Sequence, residues 1–225
     1  MIRGVLFDMD GVLLDTERMG QMYFIQLCHR LGYPQMDIPK FNRLLGVTRA
    51  ENIRQLKEML GEDFPGEYAM DTYREMLLTE GKAGRIPMKK GVEECIAGLK
   101  ARGIRIGLAT STPREVVEMY FEHLPVLASA FDGKVCGTEA ARSKPAPDIY
   151  LEAARRVGVP IEDCLGVEDS RAGLRSITDA GAGSVFVPDL LGYDESMNGT
   201  VKYQIEHLGQ LCDLIDRINL EAKAK

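Results

Sequence analysis

Ile104-Arg105-Ile106-Gly107-Leu108-Ala109-Thr110, followed at once by Ser111-Thr112-Pro113-Arg114-Glu115, is the stretch that decides the fold. The first seven residues form a short, mostly apolar run, the pattern of a strand buried on both faces of a parallel sheet. The next five carry helix start signals, with Thr112 as the capping residue, Pro113 at the first helical position and Glu115 completing a capping box. The same strand-to-helix unit recurs on either side. Upstream, a helix over 89–101 stops near Gly103. Downstream, a short strand falls at 134–136, a helix at about 147–157 and a strand at 164–167. Ser170 can cap a helix running toward Ala180, and a further strand covers 184–187. Leu208, Leu211, Cys212, Ile215 and Ile218 form the stripe of a last helix. With a strand over 3–8, this alternation predicts an α/β fold, a parallel sheet with helices on both faces.

Between the first strand and this alternation, the chain from about Asp15 to Gly84 shows helical periods only. They cover 16–31, roughly 37–45, 49–60 and 66–80, and are broken at Gly32, Pro34, Gly46, Gly61, Pro65 and Gly81. An all-helical insertion after the first strand implies a small second domain, 15–84, on a core made of 1–14 and 85–225. The joints fall near 14–16 and 85–88.

Composition bounds the function. The chain has 225 residues, 45% apolar and 28% charged, an ordinary globular balance that argues against wholesale disorder. No run approaches the roughly 18–20 apolar residues of a membrane span. The first apolar run meets Asp8 and Asp10 where a signal peptide would carry its cleavage site, so a cytoplasmic protein is expected. A formal net charge of −6 is the wrong sign for a general nucleic-acid binder, whose affinity comes largely from neutralising phosphates. The five cysteines are scattered, with no Cys-x-x-Cys pair to support a zinc site, a redox pair or a disulfide framework. His29, His123 and His207 lack ligand spacing. Gly181-Ala182-Gly183 leads from helix into strand, the wrong order for a dinucleotide loop.

The chemistry gathers where the strands end. In a parallel sheet, ligands bind just beyond the carboxyl ends of the strands. The first strand ends Leu6-Phe7-Asp8-Met9-Asp10-Gly11, the second Ala109-Thr110-Ser111, and that at 164–167 leads into Glu168-Asp169-Ser170. Between the last two lies Ser143-Lys144-Pro145-Ala146-Pro147-Asp148. Taken singly, Ser170 reads as a helix cap, Lys144 as a solvated loop lysine and Asp15 as the cap of the helix at Thr16. Their joint placement carries more. Several carboxylates at one sheet edge repel, and an oxygen-only set calls for Mg²⁺ rather than zinc. A divalent ion beside hydroxyls, one lysine and a helix start describes a phosphate site. Asp8 could attack phosphorus as a nucleophile. Asp10 could protonate the leaving oxygen and then activate water.

Phe7-Asp8-Met9-Asp10-Gly11-Val12-Leu13 resembles the first motif of the haloacid dehalogenase superfamily, with Asp8 at its nucleophile position. Thr110 is similar to the hydroxyl of the second motif, Lys144 to the lysine of the third, and Glu168-Asp169 to the acidic fourth motif. The resemblance spans the whole α/β part, in order and spacing. It implies a Rossmann-like, doubly wound core, and the insertion resembles the helical cap of the branch containing β-phosphoglucomutase and many small phosphatases. Because Asp10 is present, it also implies phosphate-ester chemistry through an aspartyl-phosphate. Mg²⁺ would then be held by the Asp8 carboxylate, the Asp10 backbone carbonyl and Asp169, with Glu168 in direct or outer contact. Lys144, Thr110 and the Ser111 backbone N–H would hold the phosphoryl oxygens. The expected substrate is a small phosphorylated metabolite, a sugar or polyol phosphate, with Thr16 and Arg49 as candidate substrate contacts and Met19 and Met22 as candidate walls. A β-phosphoglucomutase-like phosphotransferase is the alternative, and a non-catalytic binding protein on the same fold a remote one. In the mutases a histidine on the first cap helix helps couple closure to catalysis; here Gly20 aligns with it, which favours hydrolysis.

Overall fold

The computed structural model describes residues 1–45 and 47–224; the expected breaker Gly46 and the tail residue Lys225 lie outside the described residues. Six strands among them form one parallel sheet in the order β3-β2-β1-β4-β5-β6. They are β1 (Gly4–Phe7), β2 (Arg105–Thr110), β3 (Gly133–Cys136), β4 (Cys164–Glu168), β5 (Gly183–Phe186) and β6 (Tyr203–Gln204). The first five match the apolar runs. β6 escapes pattern reading because two residues carry no periodicity.

Helices α1 (Thr16–Arg30), α2 (Ile38–Asn42), α3 (Arg49–Leu60) and α4 (Gly66–Lys82) lie between β1 and β2. They are followed by α5 (Val92–Ala101), α6 (Arg114–Phe121), the short α7 (Pro125–Ala128), α8 (Asp148–Val157), α9 (Arg171–Ala180) and α10 (Leu211–Lys223). None is long and apolar enough to cross a membrane. All five cysteines are free thiols.

β1 lies inside the sheet, Leu6 pairing with Gly107 on one side and Gly166 on the other. Side chains alternate along it. Val5 and Phe7 meet α5, α6 and α10 through Leu99, Val117, Phe121 and Ile215. Leu6 meets α8 and α9 on the other face, through Tyr150, Ala153, Val157 and Ile177. Val5, Leu6 and Phe7 are fully buried, as a doubly covered strand requires. This is the doubly wound arrangement expected from the alternation. At β1 the connections change direction along the sheet, which opens a crevice at the strand carboxyl ends.

Helices α1 to α4 enclose an apolar cluster of their own, including Phe24, Cys28, Phe41, Leu56, Leu60 and Phe64. Phe24 packs edge-on against Tyr73 with ring centroids 5.3 Å apart, and Tyr33 against Phe64 at 4.9 Å. The Thr48 hydroxyl accepts from the Glu51 N–H and starts α3. Chain enters and leaves this cluster side by side: the Asp15 N–H donates to the Pro87 carbonyl and the Lys89 N–H to that of Leu13, both at 2.9 Å.

Three expected helix starts differ, α5 beginning at Val92 rather than at 89. α6 begins at Arg114, with Pro113 in the cap position and no side-chain cap bond. Thr112 is withdrawn from capping because its hydroxyl is bound to Asp10. α10 begins at Leu211, residues Leu208–Gln210 forming a 3₁₀ turn instead. Ser170 does cap α9, accepting from the Gly173 N–H at 3.1 Å.

Candidate active site

Asp8 is the first residue beyond β1, fixed there by its backbone N–H, which donates to the Val167 carbonyl at 3.0 Å. The chain then turns at Gly11, whose φ is +77°, and a Cβ there would lie 2.2 Å from Asp169 Oδ2. Only glycine meets both demands, a left-handed backbone and a carboxylate against the main chain. The turn brings the first and fourth motifs together.

Lys144 bridges them. Its Nζ donates to Asp8 Oδ1 at 2.6 Å and to Glu168 Oε1 at 2.5 Å. Glu168 is held on all sides: Tyr150 OH donates to Oε1 at 2.9 Å, and Oε2 accepts from the Asp169 and Ser170 N–H groups and the Ser170 hydroxyl. Carboxylate oxygens of Asp8, Glu168 and Asp169 all lie within 4.8 Å of one another. Burial pushes the Asp8 carboxyl up to about 8, against the pull of Lys144 and with the help of Glu168 and Asp10. Burial also drives Asp169 well above the carboxylate range, with Glu168 and Asp8 adding repulsion. Lys144 is itself buried, which disfavours its charge, but the facing Asp8 and Glu168 carboxylates outweigh this and hold it above its ordinary value. One ammonium thus faces three carboxylates. A hard divalent cation fits this all-oxygen set and would supply the missing positive charge.

Asp10 is held by two hydroxyls, Thr16 Oγ1 donating to Oδ1 and Thr112 Oγ1 to Oδ2, both at 2.6 Å. One comes from the start of α1, the other from the turn after β2. The buried Thr110 hydroxyl accepts from the Thr112 N–H at 3.1 Å. Asp8, Asp10, Thr110, Ser111, Lys144, Glu168 and Asp169 all line one cavity of about 570 Å³. Its remaining wall includes Leu45 and Val47 from the insertion and Leu190, Leu191 and Met197 from the core.

The structure redirects several candidates. Thr16 is spent on Asp10 rather than offered to a substrate. Arg49 does not line the cavity; it pairs at 2.7 Å with both Glu67 and Asp71 on α4. Met19 is buried in the core cluster and Met22 is 52% exposed, and neither lines the cavity. Asp15 takes the cap position of α1 without capping it, its carboxylate instead reaching Lys89 at 3.4 Å and Arg18 at 3.6 Å. Beside Gly20 lies the Tyr73 hydroxyl, 2.3 Å from where a Cβ would stand.

Two site residues escaped the sequence reading. Thr112 sits in a helix-start pattern, and its one further signal is being the third hydroxyl in Thr110-Ser111-Thr112. Glu17 lines the cavity one residue after Thr16. Burial, then the charges of Asp10 and Asp189, pushes its carboxyl up to about 7.

Residues 5–187 match the family model for haloacid dehalogenase-like hydrolases, and the chain belongs to that family of enzymes. Among its relatives is a probable pseudouridine-5'-phosphatase of Drosophila melanogaster, 34% identical over 191 residues, covering 82% of this chain and 80% of the other. CbbY from Rhodobacter sphaeroides, solved in complex with xylulose-(1,5)bisphosphate, superposes with a TM-score of 0.72 at 27% identity, over 94% of this chain and 96% of that one. A putative β-phosphoglucomutase from Thermotoga maritima gives 0.78 at 25% identity, over 96% and 100%.

Proposed function

We propose that this enzyme is a Mg²⁺-dependent phosphatase of a small phosphorylated metabolite, a sugar or polyol phosphate, working through an aspartyl-phosphate. The observation that carries the reading is the position of Asp8. Lys144 joins it to Glu168, Asp169 lies alongside, and all line a cavity that also holds Asp10 and the second-motif hydroxyls. Names of relatives, a phosphatase and a sugar bisphosphate complex, support the same substrate class.

In this reading Asp8 and Asp169 would hold the cation with the Asp10 backbone carbonyl, and Glu168 would stand in direct or outer contact. When bound, Mg²⁺ neutralises charge on the transferring phosphoryl group. Lys144, Thr110 and the Ser111 N–H hold the phosphoryl oxygens. An Asp8 carboxylate oxygen forms a bond to phosphorus while the ester P–O bond breaks, and Asp10 delivers its proton to the departing alkoxide. Asp10, now ionised, takes a proton from water as that oxygen attacks phosphorus. The bond to Asp8 then breaks, releasing inorganic phosphate and restoring both carboxyls. Most of the rate comes from positioning and charge stabilisation, as in other phosphoryl transfers. The division into a core (1–14 and 85–225) and a helical cap (15–84) belongs to this proposal: Leu45 and Val47 would close on the substrate from the cap side.

The test is turnover of p-nitrophenyl phosphate with Mg²⁺ and with EDTA. Asp8→Asn should abolish turnover in a folded protein. Asp10→Asn should slow it by about 10²–10⁴-fold, with alkyl phosphates suffering more than the nitrophenyl ester, whose leaving group needs no proton. Full activity of a pure Asp8→Asn protein would overturn the mechanism. Release of phosphate from a panel of phosphorylated metabolites then identifies the substrate.

A further inference from the structure

Asp189 follows β5 in Val187-Pro188-Asp189-Leu190, where the Val187 N–H donates to the Glu168 carbonyl at 2.9 Å and keeps the segment against β4. Its side chain is only 1% exposed. Oδ1 receives two cations: Lys89 Nζ in close contact, and Arg18 Nη2 at 3.4 Å. Oδ2, equally buried, has no hydrogen-bond partner among the described residues. A buried carboxylate oxygen left without a donor is costly, so its position calls for an explanation.

That position is beside the candidate cation site. A Cβ built on Gly11 would lie 3.3 Å from Asp189 Oδ2 and 2.2 Å from Asp169 Oδ2, so the two oxygens share the same side of the Gly11 backbone. Asp189 nevertheless stands outside the group of carboxylates, Asp8, Glu168 and Asp169, whose oxygens lie within 4.8 Å of one another. It is thus placed beside the cluster and not within it. The neighbouring lysine and arginine are already taken by Oδ1. What a site of this kind supplies at that distance is a proton of cation-bound water.

We propose that Asp189 is a positioning residue of the divalent-cation site, its Oδ2 accepting a hydrogen bond from the hydration shell of an ion held by Asp8 and Asp169. The inference rests on the Mg²⁺ reading above. It adds a link to the insertion, because Arg18 lies on α1, Lys89 on the return from α4, and the neighbouring Leu190 packs against the cluster of the four insertion helices.

The experiment is calorimetric titration of the metal-free full chain with Mg²⁺, alongside thermal unfolding in chelator. Asp189→Asn keeps the shape and removes the charge; Mg²⁺ affinity should weaken about 10–100-fold, the range for an outer partner of a metal site. Arg18→Gln removes an exposed cation that competes for Asp189, and should tighten Mg²⁺ binding about twofold, the scale of a surface ion pair. That gain should vanish in the Asp189→Asn background. Unchanged affinity in Asp189→Asn, with or without a lower melting temperature in chelator, would mean that Asp189 serves only its ion pairs, and overturns the inference while leaving the Mg²⁺ reading intact. Should Asp189→Asn fail to fold, Arg18→Gln decides alone, and affinity that is unchanged or weaker overturns it. A wild-type protein that binds no Mg²⁺ overturns both the cofactor reading and this inference.

Discussion

Glu17 stands on the first turn of α1 with its carboxyl buried toward the cavity, and is held near 7 against an ordinary 4.5 by burial, Asp10 and Asp189. Its folded value is the higher one, so between about 4.5 and 7 the native state binds more protons than the unfolded chain. Stability must then fall as pH rises through that window. In chelator, the melting temperature of the wild type should drop from pH 5 to pH 7 more steeply than that of Glu17→Gln, which has no proton to lose. Equal slopes would show that Glu17 keeps an ordinary affinity for its proton. Asp10 is fixed by hydrogen bonds to its side chain. Both its oxygens accept from threonine hydroxyls, one from α1 and one from the turn after β2, so its orientation depends on two distant segments.

At the scale of elements, the fourth motif is a junction between β4 and α9. Glu168 ends the strand inside the site, and the helix must start directly above its carboxylate. Ser170 serves both purposes, its hydroxyl donating to Glu168 Oε2 while accepting the Gly173 N–H. Gly173 gives the carboxylate room: a Cβ there would lie 1.8 Å from Glu168 Oε1. Gly173→Ala should destabilise the protein by about 1–3 kcal/mol through overpacking, read from the urea midpoint. Part of that loss is the displaced contact with Lys144 and Tyr150. Gly192→Ala, where a Cβ meets nothing within 4 Å, is the control and should leave the midpoint in place. A Gly173→Ala midpoint equal to the control would mean that α9 moves away without cost.

For the whole molecule, the question is which acceptor reaches the phosphoryl group. A mutase must shield its aspartyl-phosphate from water until a sugar is bound, and tie closure of the insertion to Asp10. The family resemblance aligns Gly20 with a histidine of β-phosphoglucomutase, and the space beside Gly20 belongs to the Tyr73 hydroxyl. Burial, with Glu17 and Asp10 nearby, raises the Tyr73 phenol, so it remains protonated at neutral pH and does not take the place of a titrating imidazole. With β-glucose 1-phosphate and catalytic glucose 1,6-bisphosphate, inorganic phosphate should keep pace with or exceed glucose 6-phosphate. Much faster appearance of glucose 6-phosphate would make the enzyme a mutase.

The sequence by itself determined five of the six strands, the principal helices, the strand ends at which Asp8, Asp10, Thr110, Glu168 and Asp169 sit, and the loop that carries Lys144. These follow from local pattern: apolar runs mark strands covered on both faces, and polar residues directly after them must emerge at one edge of a parallel sheet. The ends of the elements were less legible, because caps compete with tertiary partners, as Thr112 and Asp15 show. Tertiary structure alone decided that Thr112 holds Asp10, that Arg49 turns to Glu67 and Asp71, that Tyr73 fills the space at Gly20, and that Glu17 and Asp189 approach the acidic cluster. Each of these depends on which segments fold against one another: Asp189 is 178 residues from Gly11 and 100 from Lys89 in the chain, yet is buried beside both. Hydrophobic period records which face of an element is buried, but not which distant side chain will share that burial.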